Sequence, residues 1–413
     1  MSQIFSSVER ERYNKLLVID GHDGCYVYSK DKKYLDSISC LWNKNLGYND
    51  EEITEALTNQ IKVCGSLNPW ISTTEINKSY AEALLRFAEY LDGNVYFSLS
   101  GSESIEVAIK ATRKYHNLNA NDEKKLIVSF DKSYHGGTIG AWSISGTQRR
   151  LFEPYSPLMG GHVFIPFIHD KVTLEFFREY VKQYHKKTAA IIIEPIICYG
   201  GGFEIPKWVM EEIVSICKDY EIQIIFDEVS TGFYRTGEKF AYIDLGVRPD
   251  IICLSKGINN GILPFGVTIF KNNVFEKLST TDTFEHFSTQ NFNPILTASA
   301  MYILTKYKEK DYKKKVLKLS TLFKQEIEMH LAPYLSRFFI KGLFITLEFH
   351  NIENHEVLMC FFEELLCNGL ITYVYSNDTN YGITLVPMFI TETDEVTAIV
   401  NIIKKTYEEM FKI

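Results

Sequence analysis

The stretch Gln223-Ile224-Ile225-Phe226-Asp227-Glu228-Val229 is answered further along by Ile251-Ile252-Cys253-Leu254-Ser255-Lys256-Gly257. Each begins with an uninterrupted apolar run rather than an alternating one, the pattern of a central strand covered on both faces. Each run ends at an ionisable residue, an acid in the first and a lysine in the second. The two lie about one strand-crossover-strand unit apart, roughly 30 residues, so neighbouring strands are expected. Ligands of parallel α/β sheets collect at the carboxyl ends of the strands, where Asp227 and Lys256 both stand.

Working outward, Ala189-Ala190-Ile191-Ile192-Ile193 is apolar throughout, and further strands are expected near 94–98, 126–130 and 265–270. Apolar residues at helical spacing predict helices near 75–92, 104–117, 172–186 and 207–219. This alternation is that of an α/β fold built on a large, mostly parallel sheet. Near the start, Cys25–Tyr28 and Lys33–Asp36 flank the charged turn Lys30-Asp31-Lys32 and read as a β-hairpin. From Pro294 a long helical stretch runs to about Leu331, followed by mixed short strands and helices. The expected division is an N-terminal segment and hairpin over 1–60, a large domain over 61–300 and a smaller α+β domain over 301–413.

The 413 residues carry 52 acidic and 44 basic side chains, a net charge of −8, mixed along the chain without a long block of one sign. Neither a nucleic-acid nor an anionic-membrane partner is expected from such a balance. The eight cysteines show no CxxC spacing and often sit in apolar runs, so buried reduced thiols are expected rather than disulfides or metal ligands. No apolar run reaches the roughly 18 residues of a membrane span, and the first ten residues lack a basic start followed by an apolar core. A soluble, cytoplasmic protein is expected.

Four elements carry chemistry. At Ser98-Leu99-Ser100-Gly101-Ser102-Glu103-Ser104 a strand meets a helix, and the first helical turn presents free N–H groups and a positive dipole end to an anion such as phosphate. An ordinary serine N-cap has the same look. Tyr134-His135-Gly136-Gly137 places an aromatic ring just past a strand, either to stack on a flat ligand or simply to pack. His135 can bridge to a buried carboxylate such as Asp227. Asp227 has no positive side chain near it in sequence, so its burial needs a partner from elsewhere. Lys256 follows a buried strand, where an exposed lysine is out of place, and desolvation would lower its pKa toward a nucleophilic amine. A carboxylate that keeps a pyridine nitrogen protonated and a lysine that forms a Schiff base are what a pyridoxal phosphate enzyme requires.

Taken in order, Leu41-Trp42-Asn43, Leu46-Gly47-Tyr48, Leu99–Lys110, Ser133-Tyr134-His135-Gly136, Ile193-Glu194-Pro195, Phe226–Gly237, Leu254–Gly257, Thr289 and Asn293-Pro294 resemble the class III aminotransferases of omega-amino acid:pyruvate type. The resemblance spans about 20 to 400. It implies pyridoxal 5'-phosphate, fold type I with a seven-stranded sheet, and a ping-pong transfer of an amino group between an amine donor and a ketone or aldehyde acceptor. It further implies Lys256 as the Schiff-base lysine, Asp227 as partner of the pyridine nitrogen, Tyr134 and Val229 on the two ring faces, and Gly101 and Ser102 on the phosphate. Thr289 would join that phosphate from a second subunit, since members are homodimers with shared active sites. Trp42 matches a position near the substrate entrance. His135, Glu194 and Glu228 would stand behind the residues that touch the cofactor, and Arg235 would be structural. A mutase, lyase or racemase on the same fold is the alternative activity, and a non-catalytic scaffold a remoter one.

Two departures bear on the substrate. Ser230 stands where the family often has glutamine near the cofactor's 3-oxygen, so that contact is expected to be weak or absent. The run Ile371–Pro387, where many members carry an arginine for the substrate α-carboxylate, holds no Arg or Lys, and Gly137 replaces a second family arginine. A bidentate guanidinium is the usual device for a carboxylate. The expected substrate is therefore an amine or ketone without a carboxylate at the reacting carbon, a small molecule or a large or peptide-borne one, unless Arg149 or Arg150 serves from another direction.

Overall fold

The structure is a computed structural model that describes residues 10–48, 51–147, 149–280, 283–376 and 380–413. At its centre is a seven-stranded sheet of β1 (Gly93–Ser98), β2 (Leu126–Phe130), β3 (His162–Ile165), β4 (Thr188–Ile193), β5 (Gln223–Asp227), β6 (Ile251–Leu254) and β7 (Gly266–Lys271). Their order across the sheet is β1-β7-β6-β5-β4-β2-β3. β5 pairs in parallel with both β4 and β6, and β2 with both β3 and β4. β7 runs antiparallel to β6 and β1. The apolar runs that predicted central strands are buried at every position of β4, β5 and β6. The edge strand β3 went unanticipated, because its residues His162, Val163 and Phe164 are only partly covered and lack a clear pattern.

Helices cover the sheet, among them Gly101–Leu118, Lys171–Tyr184 and Lys207–Asp219, each with a buried apolar stripe. The N-terminal hairpin, Tyr26–Ser29 with Lys32–Asp36, gains Gly21–Asp23 on one side and pairs in parallel with Leu370–Ile371 on the other. A second four-stranded antiparallel sheet is ordered Leu335–Lys341, Phe344–Phe349, Tyr381–Leu385, Tyr373–Ser376.

The long helical stretch expected from Pro294 to Leu331 is two helices, Pro294–Glu309 and Tyr312–His330. Lys310 is extended, and the Asp311 side chain accepts from Lys314 N–H, so a new helix starts there with its own cap. The first of the two crosses the boundary expected at 300 and packs on Glu51–Cys64 and Glu75–Phe87. One apolar cluster runs from the seven-stranded sheet through these helices into the C-terminal sheet. Among the cysteines, Cys25, Cys198, Cys217 and Cys253 are buried, whereas Cys40, Cys360 and Cys367 are exposed, against the expectation that the thiols are generally buried. No helix of the described residues is long and apolar enough to cross a membrane.

Candidate active site

Asp227 closes β5 directly opposite Cys253 of β6, and Lys256 stands two residues past the end of β6. Asp227 is 5 % exposed and does find a partner from elsewhere: its Oδ2 lies 2.8 Å from His135 Nδ1. Its Oδ1 accepts from Val229 N–H at 3.1 Å. His135 is itself buried, with its backbone N–H given to Ser145 Oγ at 2.9 Å and its Nε2 without a partner among the described residues. Among the described residues the ring's hydrogen bonding thus serves this carboxylate alone, the bridge that the sequence allowed.

Lys256 has a positive φ of 42° in the short turn after β6. Its Nζ donates to Ser230 Oγ and lies 4.4 Å from the centre of the Trp42 ring. Desolvation lowers its pKa, opposed by the nearby Cys198, Asp227 and Glu194. Ser230, expected only as a weak cofactor contact, is in this structure the hydroxyl acceptor for the lysine.

The turn before the helix Gly101–Leu118 is built into the same strand ends. A Cβ on Gly101 would stand 2.9 Å from Val229 Cγ1 and 3.3 Å from Ser255 Cβ, so only glycine fits between the ends of β5 and β6. Ser100 caps Glu103 N–H at 3.1 Å, and Glu103 reaches back to Leu99 N–H at 2.7 Å. The first turn's remaining N–H groups have no helical carbonyl to meet. Gly137 N–H donates to Ser102 Oγ at 3.1 Å, which brings the Tyr134 loop onto the helix start. β7 closes the cup from the other side, where a Cβ on Gly266 would stand 2.0 Å from the Ser100 carbonyl oxygen.

Glu194, just past β4, accepts from Tyr134 N–H at 2.7 Å and Cys198 N–H at 3.3 Å. Burial, and then the charge of Asp227, push its carboxyl up to about 8. Glu228 accepts from Tyr242 N–H at 2.8 Å and from Thr231 Oγ1, and burial raises it to about 7. It anchors the chain after β5 to the start of the helix Ala241–Leu245. Arg235 is 2 % exposed, and both its terminal nitrogens are engaged by the protein: it donates to the carbonyls of Leu343 at 3.1 Å and Pro387 at 2.6 Å, to Ser39 Oγ at 3.3 Å and to Asn45 Oδ1 at 2.5 Å. Burial brings its pKa down to about 9.

A wall of rings leads away from Lys256. Trp42 meets Tyr373 and Phe344 edge-on, each at 5.5 Å, Tyr373 meets Tyr199 at 6.0 Å, and Tyr199 meets Tyr134 at 5.2 Å. The segment that carries Trp42 is bent hard: Ser39, Cys40 and Trp42 have φ of 51°, 61° and 66° without a glycine among them. Such residues cost of the order of 1–3 kcal/mol each and persist only where the surroundings hold them.

Tyr199, Tyr373 and Asn45 were not singled out from the sequence. Tyr199 had a usable signal, an aromatic residue heading a glycine run after Glu194-Pro195, as Tyr134 heads one. Asn45 had none. Thr289 is exposed, in a turn just after Phe287, whose ring stacks on Trp70 at 5.1 Å. Arg149 is exposed and lies over the Phe164 ring at 4.3 Å instead of turning toward Lys256. The side chain of Arg150 and residues 377–379 of the arginine-free run lie outside the described residues.

This architecture and these motifs are those of a known family: the sequence model for Aminotransferase class-III matches residues 7–407. The chain belongs to the class III aminotransferases. Over 98 % of its length it is 26 % identical to the adenosylmethionine-8-amino-7-oxononanoate aminotransferase of Helicobacter pylori, 95 % of which is covered. An aminotransferase structure from Bacillus anthracis superposes with a TM-score of 0.93 at 25 % identity, covering 98 % of this chain and 96 % of that one. The PMP-bound form of an aminotransferase from Vibrio fluvialis shares the fold at a TM-score of 0.92 and 19 % identity, with coverage of 100 % and 97 %. This class III aminotransferase is a pyridoxal 5'-phosphate enzyme of fold type I that catalyses transamination. Its residues fit the cofactor: a glycine-only slot under the helix start for phosphate, a buried carboxylate backed by histidine for a protonated ring nitrogen, and a partly desolvated lysine amine between them.

Proposed function

We propose that this aminotransferase acts on an amine donor, and a carbonyl acceptor, whose reacting carbon bears no carboxylate. The observation that carries the reading is the substrate side of Lys256, where the rings of Trp42, Tyr373, Phe344 and Tyr199 stand in line and Arg149, Arg235 and Arg337 are engaged elsewhere. Arg235 spends its guanidinium on the protein, and Arg149 lies over Phe164. Arg337, which reaches the loop carrying Tyr199, is held by Glu348 at 2.8 Å and the Gly201 carbonyl at 2.7 Å. An apolar or aromatic amine can bury area against such a wall, whereas an α-carboxylate would enter without a bidentate partner.

Bound pyridoxal phosphate supplies the electron sink that makes the bond next to the substrate nitrogen labile. In this reading the residues of 61–300 hold it, and Trp42 from 1–60 together with Phe344 and Tyr373 from 301–413 line the substrate side with Tyr199. Lys256 would form the covalent attachment and carry the proton, its pKa lowered by desolvation. Asp227, held by His135, keeps the ring nitrogen protonated. Tyr134 and Val229 cover the two ring faces, and Gly101 and Ser102 hold the phosphate through the helix start. Glu194 fixes the loop of Tyr134 at its backbone. Trp42 lines the substrate entrance.

The same reading includes a homodimer in which Thr289 completes the partner's phosphate site. Two residues before Thr289, Phe287 is 50 % exposed and stacks on Trp70, 78 % exposed, whose neighbour Ile71 is 83 % exposed, an apolar surface that a second subunit would cover. A cytoplasmic location belongs to this reading as well.

The test is a panel of donors, glutamate, alanine, 4-aminobutyrate, isopropylamine and 1-phenylethylamine, each given alone to the cofactor-charged enzyme and followed by its absorbance change. Conversion is expected to be faster with the simple amines, and a strong preference for the α-amino acids overturns the substrate reading. Borohydride is expected to fix the cofactor to wild-type protein and not to Lys256→Ala, and fixation in that variant overturns the site assignment.

A further inference from the structure

We propose that Asp36 is a positioning residue for the substrate side of the site, acting through Trp42. The Asp36 carboxylate is 2 % exposed and lies inside the bent segment it precedes. Its Oδ1 accepts from Ile38 N–H at 2.8 Å, and its Oδ2 from Cys40 N–H at 2.6 Å and from the Tyr48 hydroxyl at 2.7 Å. Cys40, at φ 61° and ψ −91°, is the most unusual backbone of the segment, close to the rare and strained classic γ-turn.

The segment has other ties. Ser37 N–H and Oγ both donate to the Ile371 carbonyl, Ser39 Oγ donates to that of Val386, and Arg235 reaches Ser39 and Asn45. These fasten the two flanks, whereas the Asp36 carboxylate grips the Cys40 peptide within the bend. Three non-glycine residues at positive φ relax toward ordinary backbone once the group that holds them is lost. Relaxation at Cys40 would move Trp42, two residues on.

Trp42 is held at its backbone, whose N–H donates to the Ile38 carbonyl at 2.9 Å, and by apolar packing with Ile38, Ile196, Phe344 and Val386. Its Nε1 is buried without a hydrogen-bond partner among the described residues, so no polar contact of the ring itself is added to the turn, this packing and the edge contacts with Tyr373 and Phe344. The same ring covers Lys256 Nζ. A buried carboxylate remote from the lysine thus sets the position of the ring that borders the reacting amine.

The experiment is a double-mutant cycle in the cofactor-charged enzyme with Asp36→Asn, Trp42→Phe and the two combined. The probe is the panel's best amine donor, and KM and kcat are read separately. Asn keeps one acceptor oxygen but turns an N–H pair toward Cys40 N–H and the Tyr48 hydroxyl. Asp36→Asn is expected to raise KM about tenfold with kcat changed less than about threefold, and to add nothing in the Trp42→Phe background. Borohydride is expected to fix the cofactor at Lys256 in all three variants. The proposal is overturned by an additive cycle, by a fall in kcat at unchanged KM, by no change, or by loss of cofactor in Asp36→Asn alone. If Asp36→Asn does not fold, Tyr48→Phe, which removes one donor and leaves the carboxylate, decides through the same cycle. The inference rests on the transaminase reading for its assay. Wild-type protein that borohydride cannot fix would strike that reading, and an additive cycle in charged protein strikes this one.

Discussion

Glu194 Oε1 accepts the backbone N–H of Tyr134 at 2.7 Å, so one carboxyl past β4 fixes the loop that carries the ring past β2. It does so while pushed up to about 8, with Glu228 at about 7, both chiefly by burial. In the unfolded chain both would ionise in the usual carboxyl range. Between that range and pH 8 the folded protein therefore binds protons the unfolded chain has released. Stability from these two groups is fully present below the ordinary range and lost as pH rises through their folded values. Urea unfolding should show wild type weakening from pH 5.5 to 7.5, and Glu194→Gln should remove about 1 kcal/mol per pH unit of that slope. Parallel pH dependences in wild type and variant would refute it.

The His135–Asp227 contact separates cofactor attachment from turnover. Asp227→Asn keeps the shape but cannot stabilise a protonated ring nitrogen, so turnover should fall by about two to three powers of ten, comparable to removing one preorganised electrostatic partner. Attachment at Lys256 should survive, read as absorbance fixed by borohydride. His135→Ala should give a smaller loss in the same direction.

Arg235 should matter for stability beyond what its distance from the lysine implies. Arg235→Met leaves the carbonyls of Leu343 and Pro387 and the Asn45 side chain without their donor, at about 1–3 kcal/mol for each buried group left unpaired. A loss of about 3–5 kcal/mol is expected in denaturant unfolding. Arg235→Lys should recover only part of it, since one ammonium cannot span four acceptors in a fixed plane.

Trp70→Glu should shift the enzyme to monomers in sedimentation analysis, because it puts a charge into the apolar surface beside Phe287. Cofactor retention should fall with it if Thr289 serves the partner's phosphate site. Thr289→Ala should lower retention while leaving the dimer intact.

Much of this was legible in the chain because the relevant signals are local. β4, β5 and β6 are unbroken apolar runs, and the residues that end them are ionisable, so both the sheet and the Asp227–Lys256 pair could be read directly. The Gly101-Ser102 turn and the Tyr134-His135-Gly136 loop carry their own sequence marks. What escaped depends on meetings between distant segments. Asn45 donates to the Tyr307 hydroxyl at 3.0 Å, and that hydroxyl donates to the Gly257 carbonyl at 2.8 Å, beside the lysine. Nothing near Asn45 in sequence marks it for that task. The break at Lys310 was missed because the apolar spacing continues on both sides of it, and only the cap at Asp311 shows where one helix stops. The arginines illustrate the opposite case: the absence of a basic residue in 371–387 was plain, while the four acceptors that hold the terminal nitrogens of Arg235 needed three-dimensional partners to be seen.

The register that lays Gly266 against Ser98 has a temporal consequence. The phosphate cup is assembled from the end of the first strand of the sheet and the start of its last, so closing it requires most of the intervening chain to have been made and folded. Contacts of such long sequence separation come late and slowly in folding. A chain emerging during synthesis would expose the helix start at Gly101 long before anything covers it. Cofactor capture is then expected to follow the docking of β7, which makes binding competence a report on the whole sheet rather than on the one turn proposed to hold the phosphate.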